Sequence, residues 1–175
     1  IAGGSDVLLV ETIFDSLNAK AALVAIREVF DQRAKEGKPE LPVMVSAAVG
    51  RGGETMISAQ TVEALWNSVE HVNPISIGLN CSLGPDLMYP FLDELAKKSS
   101  AAVSAYPNAG LPNPLSPTGF DLEPADMGRF LRQFADSNLI NVAGGCCGNT
   151  PEHIAAIARA LEGHAPRPLP GRATP

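Results

Sequence analysis

Residues 141–154 read NVAGGCCGNTPEHI, and this segment places two of the chain's three cysteines side by side in a glycine-rich turn. A short apolar run precedes the turn, and a helix start follows it, with Thr150 as a candidate N-cap and Pro151 at the first helical position. Residues 77–85, IGLNCSLGP, have the same design around the third cysteine, Cys81. Both segments are typical of a buried strand that ends in a loop before a helix.

This order of apolar run, loop and amphipathic helix occurs five times along the chain. The apolar runs are continuous rather than alternating, which is typical of parallel strands buried on both faces. We predict strands at 7–10, 42–49, 75–79, 101–105 and 140–143. The alternation predicts an α/β fold with a parallel sheet. Two architectures fit: a complete doubly wound sheet, or five units of a (β/α)8 barrel, which takes about 250 residues.

Capping residues and prolines predict the helix boundaries. Ser58 is a candidate N-cap for the second helix. Pro90 falls inside the helix that follows Cys81, so we expect that helix to start late or to kink. His153 lies early in the last helix, and we interpret it as structural.

Composition restricts the class of protein. The sequence is 45% hydrophobic and 18% charged, as is ordinary for a globular domain. The net charge of −6 and the lack of a basic cluster argue against nucleic-acid binding, and no apolar run reaches the roughly 18 residues that a membrane span needs. An odd number of cysteines favours free thiols in a reducing cytoplasm over a disulfide framework. The chain starts at Ile1 beside an apolar strand, and we expect it to be part of a longer protein.

Proline distribution predicts the domain organisation. Residues 164–175, HAPRPLPGRATP, are rich in proline and are typical of an exit linker after a folded unit at 1–163. A second proline-rich stretch, residues 106–124, lies between a predicted strand and a helix. Loops of that length are often functional.

Polar residues and cysteines follow the predicted strands at their carboxyl ends. They are Glu11 and Thr12, Asn80 and Cys81, Tyr106 to Asn108, and Cys146 and Cys147. The carboxyl ends of parallel strands meet at one edge, where α/β folds bind their ligands. We therefore expect these side chains to lie together.

The three cysteines predict a metal site. Three thiolates suit zinc, with Zn–S distances of about 2.3 Å, and three protein ligands leave one tetrahedral position open, as in catalytic sites. A substrate thiol is a natural fourth ligand, since zinc holds thiols as nucleophilic thiolates at neutral pH. Two other interpretations fit the residues: cysteines that only pack in the core, and a Cys146–Cys147 disulfide that acts as a redox switch.

With the segments IGLNCSLGP, SAYPNAGLP and NVAGGCCGNTPEHI taken together, the sequence resembles the homocysteine S-methyltransferase family over nearly its whole length. Within the family, the segments ETIFDSLNAKAA, NAGLPN and APRPLP are most similar to the homocysteine-binding module of cobalamin-dependent methionine synthase. Betaine- and S-methylmethionine-dependent enzymes share the cysteines but match less well around residues 108–113.

The resemblance implies a (β/α)8 barrel of which residues 1–163 form the C-terminal part, strands four to eight. Cys81 then ends the sixth strand and Cys146–Cys147 the eighth, and all three correspond to zinc ligands, with homocysteine sulfur as the fourth. Glu11 corresponds to the carboxylate that holds the substrate's amino group. Asn108 corresponds to an asparagine near the metal, and the backbone around Ser46 is a weaker candidate for contact with the amino-acid end.

The reaction implied by the resemblance is methyl transfer to homocysteine to form methionine. The methyl donor would be methylcobalamin on another module of the same enzyme, so we expect cobalamin and methyltetrahydrofolate to bind elsewhere. Alternatives are a cobalamin-independent enzyme that uses betaine or S-methylmethionine, and a non-catalytic zinc- or thiol-binding fragment. The first three barrel strands are absent from this sequence and are expected partners.

Overall fold

The computed structural model describes residues 1–117 and 119–170, in which strands and helices alternate. Strands β1 to β5 comprise Leu8–Ile13, Val43–Ala47, Ser76–Asn80, Ala102–Tyr106 and Val142–Ala143. Helices α1 to α5 comprise Ser16–Lys35, Val62–Val69, Pro85–Lys98, Pro124–Asp136 and Pro151–Leu161, and a 3-10 turn, Glu70–Val72, follows α2. The five predicted strands are all present, with bounds that differ by at most three residues from the prediction.

The order of the strands decides between the two predicted architectures. The five strands form one parallel sheet in the order β1-β2-β3-β4-β5, so neighbours along the chain are also neighbours in the sheet. A doubly wound sheet instead reverses its order at a switch point. The sequential order is that of a (β/α)8 barrel, and the doubly wound alternative is wrong.

The two faces of the sheet differ in chemistry. One face packs against the helices and is fully buried in the hydrophobic core, as at Ile77 and Leu79 of β3. On the opposite face, here called the inner face, Ser46, Gly78 and Ser104 are register partners on adjacent strands. A Cβ added at Gly78 would lie 2.1 Å from the Ser104 carbonyl oxygen, so this close approach requires glycine. The middle row of the inner face is therefore small and polar, and the carboxyl edge of the sheet above it carries the candidate site.

The predicted N-cap of α2 is wrong by three residues. Thr61, not Ser58, is the N-cap, and its side chain accepts a hydrogen bond from the Ala64 N–H at 3.1 Å. The hydroxyl of Ser58 pairs instead with that of Thr55, at 2.8 Å. Residues 49–61 fold back on themselves through the antiparallel bridges Val49–Thr55 and Glu54–Thr61, so the helix begins only after this turn, with Thr61 as its N-cap.

The expectation of a late start for α3 is also wrong. The helix begins at Pro85, four residues after Cys81, and continues through Pro90 to Lys98. Pro90 lies on an exposed position, where its ring meets solvent. Because proline has no N–H, one carbonyl in the first turn of the helix lacks its helical hydrogen bond. The same helix buries the side chains of Met88, Leu92 and Leu95. Burial of this apolar face outweighs the lost bond.

The first part of the predicted linker packs on the sheet and α3. Arg167 is 5% exposed and donates hydrogen bonds to the carbonyls of Ala96, Ser99 and Ala101, where α3 ends and β4 begins. Residues 171–175 of that linker lie outside the described residues. Within the described ranges, no helix combines the length and the apolar character that a bilayer crossing demands.

Candidate metal centre

The three cysteines meet at the carboxyl edge of the sheet. The sulfur of Cys81 lies 3.6 Å from that of Cys147, and the sulfurs of Cys146 and Cys147 are 4.0 Å apart. All three sulfurs lie within 4.8 Å of one another, and none is in a disulfide. Three sulfurs on a tetrahedral ion with Zn–S bonds of about 2.3 Å would be separated by about 3.8 Å. The spacing therefore fits a metal ion held by three thiolates.

Cys81 reaches the cluster through an unusual backbone conformation. It follows β3 directly, and both Cys81 and Ser82 have left-handed φ angles, 62° and 66°. Non-glycine residues with such angles cost about 1–3 kcal/mol each and persist only where their surroundings hold them. The Cys81 N–H donates to the Tyr106 carbonyl at 3.0 Å and thereby continues the pairing with β4. The turn brings the thiol to the sheet edge.

The loop after β5 aims the other two thiols. The N–H of Cys146 donates to the Pro107 carbonyl at 2.9 Å, and the carbonyl of Cys147 accepts from the Ala109 N–H at 2.9 Å. Adjacent residues in a regular strand point to opposite faces, but β5 ends at Ala143, before the pair. The irregular loop therefore allows two neighbouring sulfurs to share one site.

Asn108 supports the same loop. Its side chain is 7% exposed, and its Oδ1 accepts a hydrogen bond from the Cys147 N–H at 3.2 Å. Asn149, on the other side of the pair, donates through Nδ2 to the Pro107 and Cys146 carbonyls at 3.1 and 3.2 Å. The two asparagines thus join the loop after β4 to the cysteine pair. Sequence reasoning assigned no role to Asn149.

His153 is part of this support, in agreement with its structural interpretation. It is fully buried, and its Nδ1 accepts from the Thr150 N–H at 3.1 Å. Its Nε2 therefore carries the proton and donates to the Leu122 carbonyl at 3.0 Å. The ring thus fastens the start of α5, just after the cysteine pair, to the end of the loop that contains Asn108.

Glu11 lies at the end of β1, where the strand is irregular. Val10 pairs with Val45 and Ile13 with Ala47, so two residues of β1, Glu11 and Thr12, oppose one residue of β2. Such a bulge re-aims side chains next to functional sites. The Glu11 carboxylate lies close enough to Tyr106 to add to the increase in the pKa of that phenol, which burial causes in the main. Glu11 therefore faces the region between β1 and β4.

Ser46 is fully buried beside this bulge. Its hydroxyl donates to Asn80 Oδ1 at 2.7 Å. Asn80 also accepts from the Thr12 N–H at 3.1 Å and donates to the Thr12 hydroxyl at 2.8 Å. The sequence places Asn80 at a strand end directly before Cys81, but it does not reveal this network. Direct contact between Ser46 and a substrate stays a prediction.

Without a bound cation, the cysteine cluster disfavours thiolates. Burial and the neighbouring thiols of Cys81 and Cys147 raise the pKa of Cys146 to about 12. The pKa of Cys147 is also raised, chiefly by its hydrogen bond with Cys81 and by burial. A divalent cation would reverse this preference, because it stabilises the charged form of every thiol that it contacts.

Comparison with known proteins identifies the family and the fold of the chain. A sequence model of the homocysteine S-methyltransferase family matches residues 1–161. Among solved structures, the chain is similar to the homocysteine methyltransferase MmuM from Escherichia coli in its oxidized form (20% identity, TM-score 0.63), apo form (19%, 0.61) and metallated form (19%, 0.62). These matches cover 90%, 91% and 90% of this chain, but only 46%, 51% and 46% of the MmuM chains. The chain therefore spans about half the length of these proteins, and at such identity the likeness is one of fold.

Proposed function

The chain belongs to the homocysteine S-methyltransferase family, and we propose that it forms the zinc-holding part of a homocysteine-binding barrel that transfers a methyl group to homocysteine. The observation that carries this proposal is the cluster of Cys81, Cys146 and Cys147, whose sulfurs lie within 4.8 Å of one another. A three-thiolate site leaves one tetrahedral position for a fourth ligand. The substrate thiol is the ligand that best suits that position.

Each residue of the site has a chemical task in this proposal. The three cysteines would hold zinc, which, when bound, keeps the homocysteine thiol deprotonated at neutral pH. Glu11 would bind the substrate's ammonium group, a role supported by its carboxylate at the end of β1 near Tyr106. Asn108 would keep the Cys147 backbone in place through its 3.2 Å hydrogen bond.

The methyl donor distinguishes the enzyme types within the family. In the reaction, the substrate sulfur loses its proton and gains the methyl group, while the bond between the donor and that methyl group breaks. We propose methylcobalamin, carried on another module, as in cobalamin-dependent methionine synthase. The segments NAGLPN at 108–113 and APRPLP at 165–170 support this choice. If betaine or S-methylmethionine served as donor instead, the enzyme would be of the cobalamin-independent type.

We propose that the barrel is completed by strands outside these residues. In the described part, β1 and β5 each have a neighbour on one side only. Leu9 of β1 and Val142 of β5 are 41% and 36% exposed, as expected for edges that another segment covers. Residues 1–163 would then be the C-terminal part of the barrel, and 164–175 an exit linker that Arg167 anchors at its start.

The proposed function is tested by X-ray absorption at the zinc edge. The zinc-loaded protein should have three sulfur neighbours around zinc without homocysteine and four with it, because the substrate thiol takes the open position. Methionine, which lacks a free thiol, serves as the control and should leave the sulfur count unchanged. An unchanged count on addition of homocysteine would reject the open-site mechanism and favour a non-catalytic metal-binding fragment.

Zinc affinity is expected to rise steeply with pH. The raised pKa values of Cys146 and Cys147 mean that the metal-free thiols are protonated at neutral pH. Zinc binding must release these protons, so affinity increases about tenfold per pH unit for each proton released. Competition with a chromophoric chelator between about pH 6 and about pH 8 measures this slope. Protein with alkylated cysteines provides the control, and a pH-independent affinity would contradict thiolate coordination.

A further inference from the structure

The bulge in β1 turns two side chains toward the inner face of the sheet. Val10 and Ile13 both contact the hydrophobic core on the helix side of the sheet. Two residues lie between them, whereas only Ser46 lies between their register partners Val45 and Ala47 on β2. The extra residue places Glu11 and Thr12 together opposite Ser46. The position of the Glu11 carboxylate therefore depends on how firmly this bulge is held.

The bulge is strained, and one side chain holds it. Thr12 has a φ of 55°, which is rare for a β-branched residue and costs about 1–3 kcal/mol. Asn80 binds Thr12 twice, by accepting from its N–H at 3.1 Å and by donating to its hydroxyl at 2.8 Å. The hydroxyl of Ser46 donates to the same Asn80 oxygen at 2.7 Å. These bonds fix the backbone that presents Glu11.

Asn80 is placed to act through other residues rather than on a ligand. It is 1% exposed, and both ends of its amide are already occupied by protein partners. It is also the last residue of β3 and directly precedes Cys81, the thiol 3.6 Å from that of Cys147. Asn80 thus connects the bulge of β1, which carries Glu11, to the end of β3, which is followed by the candidate metal ligand Cys81.

We propose that Asn80 is a positioning residue that sets the location of the Glu11 carboxylate and thereby the preference for a thiol that also bears an ammonium group. The inference rests on the proposed function, since it takes homocysteine as the ligand. It adds that recognition of the thiol and recognition of the ammonium group are separable: the cysteines govern the first, and Asn80 acting through Thr12 and Glu11 governs the second.

The test compares homocysteine with 4-mercaptobutyrate, which has the same carbon chain, thiol and carboxylate but lacks the ammonium group. The wild-type, zinc-loaded protein should bind homocysteine about tenfold or more tightly, the effect expected of a charged hydrogen bond. Asn80→Ala should retain zinc and its affinity for 4-mercaptobutyrate, while the preference falls to within about threefold of unity. Glu11→Gln should have the same effect, and combining the two should add little.

A second variant and a control keep the result unambiguous. Thr12→Val removes only the hydroxyl that Asn80 binds, and it should lower the preference part of the way even if Asn80→Ala loses zinc or fails to fold. Ser76→Ala is the control, since Ser76 is a buried residue of β3 whose hydroxyl has no hydrogen-bond partner among the described residues. It should leave the preference unchanged.

The outcomes separate the two proposals. A wild-type protein that binds neither thiol, or both equally, would reject the proposed substrate or the role of Glu11. If the wild-type protein prefers homocysteine and Asn80→Ala keeps that preference, the role of Asn80 is overturned and the proposed function stands. If Asn80→Ala does not fold, the same conclusion follows when Thr12→Val keeps the preference. Equal weakening of both thiols would show that Asn80 is merely structural.

Discussion

Replacing Cys81 with alanine is expected to lower zinc affinity by about two orders of magnitude. Structural zinc sites with four ligands bind with about 10–16 kcal/mol, so one thiolate contributes roughly 3 kcal/mol. Cys81 comes from the end of β3, whereas Cys146 and Cys147 share one loop after β5. Its removal leaves two adjacent sulfurs, which hold a metal ion poorly. Zinc content after dialysis, measured by atomic absorption, checks the prediction.

Ser82→Ala is the matched control for Cys81→Ala. The two residues are neighbours in the same turn, and both have left-handed φ angles, so either substitution places alanine in the same strained backbone. The Ser82 hydroxyl contacts the Met56 sulfur at 3.7 Å and is not part of the thiol cluster. Ser82→Ala should therefore retain zinc. Full retention of zinc in Cys81→Ala would remove Cys81 from the set of ligands.

The repeated units of the fold are predictable from sequence because they depend on local patterns. Continuous apolar runs predicted five parallel strands, and Pro124 and Thr150–Pro151 open helices in the structure, as their residue types favour. Strand order is not local. A doubly wound sheet and five units of a barrel have the same periodicity, and only the sequential pairing of β1 to β5 distinguishes them.

The position of the cysteine cluster was also predictable from local patterns, because each cysteine follows a predicted strand. The strand-end rule placed all three cysteines at one edge, and the structure brings their sulfurs within 4.8 Å. The rule could not give the network around Asn80, because it depends on an irregular register between β1 and β2 and on the φ of 55° at Thr12. The wrong N-cap at Ser58 has another cause: the bridges Val49–Thr55 and Glu54–Thr61 hold Ser58 in a turn, and the residue types around a candidate cap do not reveal this pairing.

Substitution of Gly148 by alanine is expected to weaken zinc binding more than tenfold without removing any ligand. Gly148 follows Cys147 and has a φ of 78°; a Cβ there would lie 2.3 Å from Phe120 Cγ and 2.8 Å from Phe120 Cβ. These atoms are at the root of the ring, so rotation of the side chain does not remove the clash. The loop must shift, and Cys147 shifts with it. Chelator competition and thermal unfolding with and without zinc measure the effect.

Gly163→Ala separates the clash from backbone strain. Gly163 has a φ of 77°, almost the same as that of Gly148, but a Cβ there would meet nothing within 4 Å. Gly163→Ala should therefore lower the unfolding free energy only by the cost of an alanine in the left-handed conformation, about 1–2 kcal/mol. Its zinc affinity should be unchanged. Gly148→Ala should lose more stability, by about 1–3 kcal/mol, and should lose zinc affinity as well. If the two variants behave alike, the loop absorbs the added methyl group, and contact with Phe120 is not what fixes the cysteine pair. If only Gly148→Ala loses zinc, the metal site depends on the packing of its loop as well as on its three thiols.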